Sequence, residues 1–308
     1  MNSIDFMKKY SLIADSSSFH SVSKETQKCK FCKLEEPKTS FNNVTHVLPE
    51  LLGSNNVIYQ SECDNCNNIF SKYESHLAVF LRPYLTLNSI KGKKRVPKFQ
   101  SRNDNKGTST AINSQMEGKI EMYFNQYLDD FEIDKANKVI HVNFRKTPFK
   151  PRHIYKSIAR IGISLLPETI LPDYEHVCKW LKTNNDDLID FIPLAFITML
   201  NRKKFKHPFA NLYKAKDLVI DNEILPDLTL VLGFANVVIQ IFMPHPKDFD
   251  NIHSNNKNLC FNLFPGFVLD DVKNKLSIKI SSVNLSSNEK ICQNQKMSFS
   301  YEDLKRKI

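Results

Sequence analysis

The chain has 308 residues and a mass of 35.7 kDa, enough for about two domains with a buried core. At 41% apolar and 25% charged residues it is neither fibrous nor low-complexity, and 43 Lys/Arg against 33 Asp/Glu give a net charge of +10 that favours anionic partners such as nucleic acid or an acidic membrane surface. The opening MNSIDFMKKYSLIADSSSF lacks the apolar core of a signal peptide, and the longest apolar runs, 191–200 and 228–243, are broken by Pro193 or by Asn236 and Gln240. These features predict core elements rather than membrane spans, and a cytoplasmic protein.

In chain order, residues 1–28 are polar and rich in Ser and Lys, which predicts an N-terminal arm. Residues 29–90 hold two CxxC pairs and predict a compact unit. Residues 91–110 carry seven Lys/Arg against one Asp with few apolar residues, which predicts a basic linker or loop. From about 111 to 308 the pattern predicts a mixed α+β C-terminal domain, regulatory or nucleic-acid binding. Strands are expected at 120–127, 138–144, 228–243 and 276–283. Helices are expected at 152–166 (ending before Pro167), 172–182 and 188–202. Seven glycines in all leave no Gly-rich loop to cradle a phosphate.

The strongest chemical signal is Cys29-Lys-Phe-Cys32 followed, with 30 residues between, by Cys63-Asp-Asn-Cys66. Two such knuckles supply the four thiolates of a tetrahedral zinc, coordinatively closed and therefore structural. In a reducing compartment the odd total of seven cysteines also argues for metal rather than disulfides. Cys178, Cys260 and Cys292 have no partner spacing.

Between and after the knuckles stand His46-Val-Leu-Pro49-Glu50-Leu-Leu-Gly53, then Glu62-Cys63-Asp-Asn-Cys66-Asn67, then Phe70 and Glu74. Over residues 29–82 this resembles the HNH endonuclease family with zinc knuckles. The resemblance implies an N-terminal zinc-bound ββα-metal (HNH) module and metal-dependent hydrolysis of phosphodiester bonds, with DNA as the expected partner. It implies His46 as general base, consistent with an imidazole titrating near neutrality. It implies Asn67 as ligand of a catalytic Mg²⁺ or Mn²⁺, a hard cation that keeps most of its waters and takes few protein oxygens. Glu74, seven residues on and on the same helix face, offers a second oxygen. Lys72 and Arg82 are expected against the phosphate backbone, and His76 on the helix face.

Two positions leave an alternative open. Many such enzymes carry an acid immediately before the base, and here Thr45 stands there. Asn55, Asn56 and Gln60 all compete for the central amide that orients the base. A non-catalytic zinc-dependent module that binds nucleic acid or protein is therefore the competing expectation. Two further clusters, Phe144–Arg160 with six Lys/Arg and Arg202–His207, read either as nucleic-acid surface or as solvated helix faces. A nuclease joined to a sensor domain is a layout found in bacterial anti-phage defence. By that analogy the sequence leaves room for a regulatory ligand or partner, or a homo-oligomer.

Overall fold

The computed structural model describes residues 3–18, 28–55, 57–103, 107–116, 119–124, 131–183, 190–200, 204–220, 223–245, 258–264 and 278–301. The elements of the first half are α1 (Ser3–Lys9), β1 (Tyr10–Asp15), β2 (Thr45–His46), β3 (Ile58–Tyr59), α2 (Asp64–Leu87), β4 (Phe99–Asn103), β5 (Gly107–Met116), β6 (Lys119–Phe124), β7 (Phe131–Asp134) and β8 (Val139–Arg145). Next come α3 (Pro151–Leu165), α4 (Glu175–Leu181), β9 (Leu194–Leu200), β10 (Phe209–Ala215), β11 (Val219–Ile220) and β12 (Glu223–Ile224). The last are β13 (Leu228–Phe234), β14 (Val237–Met243), β15 (Asn258–Leu259), β16 (Ile278–Asn284) and β17 (Asn294–Ser300). The architecture is mixed α+β, dominated by antiparallel sheets.

A six-stranded antiparallel sheet in the order β1-β10-β13-β14-β9-β16 forms the backbone of the molecule. Its central hairpin, β13–β14, is buried at every position, so its sequence is apolar on both faces rather than alternating, with Thr229 and Gln240 the polar exceptions. Helix α3 lies on one face. Pro151 occupies its first turn, where a missing N–H costs nothing, and Ile154, Ile158, Ile161 and Leu165 recur at helical spacing. It ends at Leu166, extended because Pro167 follows. Gly162 lets the two pack closely, since a Cβ there would sit 2.6 Å from the Met243 sulfur of β14 and the methionine side chain would have to shift. Helix α2 covers the far side of α3 with Phe70, Tyr73, Leu77, Phe80 and Tyr84. One apolar core thus runs without a break from the cysteine knuckles through α2 and α3 to the sheet.

Several expectations are corrected. Residues 3–18 are not an arm. β1 pairs with β10 as an edge strand of the main sheet, and Phe6 and Tyr10 stack at 4.7 Å in a second core on the sheet's opposite face. Two well-spaced aromatic rings outweigh the polar composition around them. The helix expected at 188–202 is instead strand β9 from Leu194 to Leu200, because Phe196, Ile197 and Thr198 insert between two strands and β-branched and aromatic residues suit a pleated surface. The basic stretch 91–110 is not wholly linker, since β4 starts at Phe99 and packs its ring on Phe144. The strand expected at 120–127 is β6 up to Phe124, and the remaining positions lie outside the described residues. The run 228–243 is two strands, turned at Ala235 and Asn236, with Ala235 in the left-handed region at φ 46°. The strand at 138–144 and the helix at 152–166 stand where the pattern put them, to within a residue.

Candidate functional site

The four knuckle cysteines converge. Cys29 Sγ lies 3.8 Å from Cys66 Sγ, Cys32 Sγ lies 3.7 Å from Cys63 Sγ, and all four sulfurs fall within 4.8 Å of one another. A zinc–sulfur bond of about 2.3 Å places tetrahedral sulfurs about 3.8 Å apart, whereas a disulfide needs about 2.05 Å. The cluster is therefore compatible with a structural zinc and not with two disulfides. Local bonds build it: Lys33 adopts φ 63° so that its N–H reaches Cys29 O at 2.8 Å, and Cys63 sits at the N-cap of α2. Asp64, in the first turn of that helix, accepts hydrogen bonds from Ser40 Oγ and from the backbone N–H groups of Asn42 and Asn43. The Ser40 hydroxyl first, then those amides, hold its carboxyl down at about 2. Lys30 leaves the first knuckle for the interior, where its ammonium caps α3 on the carbonyls of Ser164 and Leu166.

Beyond the knuckle, β2 and β3 form a hairpin of two residues a side, with Thr45 opposite Tyr59 and His46 opposite Ile58, and α2 follows directly. Asn55 closes the connecting loop. Its Nδ2 donates to Leu48 O at 3.3 Å and Gly53 O at 3.2 Å, and its Oδ1 accepts from Val57 N at 3.4 Å. Of the three competing amides it is the one seen to fasten this loop; Asn56 lies outside the described residues. Gly53 stands at φ 121°, where a side chain would be strained. His46 is half-buried, and its Nδ1 is shielded from solvent with no hydrogen-bond partner among the described residues. The Thr45 hydroxyl donates to Tyr59 O and is spent inside the hairpin.

Arg160 of α3, missed by the sequence reading except as one of a basic run, underlies all this. It is 2% exposed. Its Nε and Nη2 bond one oxygen of the fully buried Glu62 at 2.8 and 2.6 Å. Its Nη1 donates to His46 O at 2.7 Å and Val47 O at 2.9 Å, and lies 3.9 Å from Glu74 Oε1. His46 and Glu74 are thus brought to the same guanidinium. Burial pushes the Glu74 carboxyl above the usual range, while Arg160 and then His46 pull it back. Asn67 stands half-buried in the first turn of α2, its backbone N–H on Cys63 O, and no described contact joins its side chain to His46. Lys72 is exposed and Arg82 half-buried. His76 accepts from Lys150 N at 3.2 Å, a packing role. Among the described residues the four cysteines are the only group of three or more His, Cys, Asp or Glu side chains close enough to share an ion.

Of the six cations in the basic segment Phe144–Arg160, three are interior and three, Arg145, Lys150 and Arg152, are half-buried. Lys146, Lys156 and Arg160 are buried, and Lys156 caps α4 through the carbonyls of Trp180 and Thr183. An open cleft of about 640 Å³ adjoins His46. The loop Glu50–Asn55 forms one wall, Ser89–Lys93 a second and Phe205–Pro208 a third, with Ala235 at the base. Among the described residues no helix is long and apolar enough to cross a membrane. No family model, no curated protein and no solved structure matches the chain.

Proposed function

We propose that the chain is a metal-dependent HNH-type endonuclease that hydrolyses phosphodiester bonds in DNA. The observation that carries this reading is the position of His46: on a short hairpin beside a four-thiolate cluster, directly ahead of a long helix, and lining an open cleft. His46 takes a proton from the attacking water. The bonds from Arg160 to the carbonyls of His46 and Val47, and those of Asn55 across the loop, hold the backbone that carries this imidazole. Asn67 and Glu74 would hold Mg²⁺ or Mn²⁺, which supplies charge stabilisation at the leaving oxygen. The fit rests on donor type, because an amide and a half-buried carboxylate on one helix face meet the small protein-ligand demand of that ion.

A second reading is a non-catalytic zinc-dependent nucleic-acid binding module. Two observations favour it. The Thr45 hydroxyl is committed to Tyr59 O, and the fixed charge of Arg160 lies 3.9 Å from the Glu74 carboxylate, where it opposes a divalent ion. A plasmid-nicking assay with added Mg²⁺ or Mn²⁺, against the same protein without either, separates the readings. Under the first, cutting requires the added ion and His46→Ala reduces it by at least about a hundredfold, with zinc content and thermal unfolding unchanged. Cutting by that variant at the parent rate removes His46 as the base.

A further inference from the structure

Two basic clusters far apart in the sequence meet at one place. Lys91 and Lys93 belong to the stretch after α2, and Lys206 and His207 to the stretch before β10, yet all four line the cleft that His46 borders. Among the described residues that line the cleft Glu50 is the one acid, itself 3.7 Å from the Lys93 ammonium. Phe205 lines the same cleft beside Lys206, its ring edge-on to Phe209 at 4.9 Å.

The walls are fixed to one another. Asn88, closing α2, donates through Nδ2 to Asn236 Oδ1 at 2.9 Å, and Asn236 Nδ2 donates to Leu200 O at 3.1 Å. Phe205 N donates to Ala235 O at 2.6 Å. The turn between β13 and β14 therefore anchors both lysine-bearing segments. The two segments present these exposed cations on facing walls of the cleft.

We infer that this cleft binds one strand of nucleic acid, with Lys91, Lys93 and Lys206 on successive phosphates and Phe205 as the platform for a base. The inference deepens the proposed function and rests on nucleic acid being the partner. Volume selects a strand over a duplex: sites of roughly 300–1,000 Å³ enclose one ligand-sized group, so about 640 Å³ takes one or two nucleotides at a time. An aromatic ring among cations is the composition of single-strand sites, where bases stack without sequence readout. A flat lipid surface would meet the rim alone and leave the recessed ring and His46 unused.

The test uses the full chain without Mg²⁺ or Mn²⁺, so that binding is read apart from cutting. Anisotropy of a labelled single strand of about 12 nucleotides is followed over a range of salt, with the matching duplex in parallel. The triple variant K91A/K93A/K206A is expected to bind more than tenfold more weakly. Its log–log salt slope should fall by about 2, from three phosphate contacts at about 0.7 each. The pair K135A/K296A, exposed lysines outside the cleft, should leave both values at the parent level. Equal binding by parent and triple variant, an equal loss in the control pair, or tighter binding of the duplex overturns the inference. Lysine-dependent strand binding with no cutting on added metal would leave the cleft standing and remove the nuclease reading; cutting unaffected by the triple variant would do the reverse.

Discussion

Two regions of this protein are held by different physics. The main sheet is held by apolar burial: every residue of β13 and β14 is buried, and their registers run unbroken over seven residues. The hairpin that carries His46 has two residues per strand and is held by cross-links, namely the cysteine cluster, the Asn55 side chain and the Arg160 guanidinium. Strands this short supply too few ladder bonds to persist alone. A site built this way keeps its exposed, cleft-facing surface free for polar chemistry, while its rigidity comes from below.

The largest effect that sharpens this contrast comes from the cluster itself. Cys29→Ser, or zinc chelation, should release residues 29–63 and cost several kcal/mol, as structural zinc sites do. Hydrogen exchange resolves it: amides of the hairpin and knuckles should lose protection while those of β13 and β14 keep theirs. Simultaneous loss in both regions would show that they do not unfold separately.

Next comes Arg160→Met, which strands the Glu62 carboxylate in a site with no exposure and should lower stability by about 3–5 kcal/mol in a denaturant melt. Pairing it with Glu62→Gln should restore part of that loss. A pair no better than the single variant would mean that the bonds to His46 O and Val47 O, not the ion pair, carry the energy.

The smallest effect probes the apolar side. Lys146 is buried with its ammonium 4.4 Å from the centre of the Phe80 ring and 3.2 Å from Gln293 Oε1, and burial lowers it to about 8. An unfolded lysine titrates near 10.4. The folded chain therefore sheds this proton first, and stability should rise as pH climbs from about 8 towards 10.4. Lys146→Met should abolish that rise and add about 2 kcal/mol at pH 7. Identical pH profiles for parent and variant would show that the buried ammonium carries no penalty.

What the sequence disclosed follows the same division. The CxxC spacing is local and stereochemically narrow, so the sulfur cluster could be read directly. The α3 limits are legible because apolar residues recur at helical spacing and Pro167 stops the run. Strand β9 was misread as helix because a short apolar run is ambiguous until its neighbours are known. The pairing of Glu62 with Arg160, 98 residues away, has no sequence signal, and the six cations of 144–160 looked like surface although three are interior. The cleft escaped for a related reason: its walls are assembled by the Asn88–Asn236 amide pair, a contact 148 residues long.

Arg160 also bears on how separable the knuckle unit is. A chain ending near residue 90 would retain the cysteines, His46 and all of α2, yet lose the only described cation on Glu62, the donor to the carbonyls of His46 and Val47, and the α3 carbonyls that seat Lys30. Its motif would be whole and its underpinning gone. The portion that looks most transplantable is wedded to a helix that begins about sixty residues downstream of it, so a transplant of this unit must carry both pieces together.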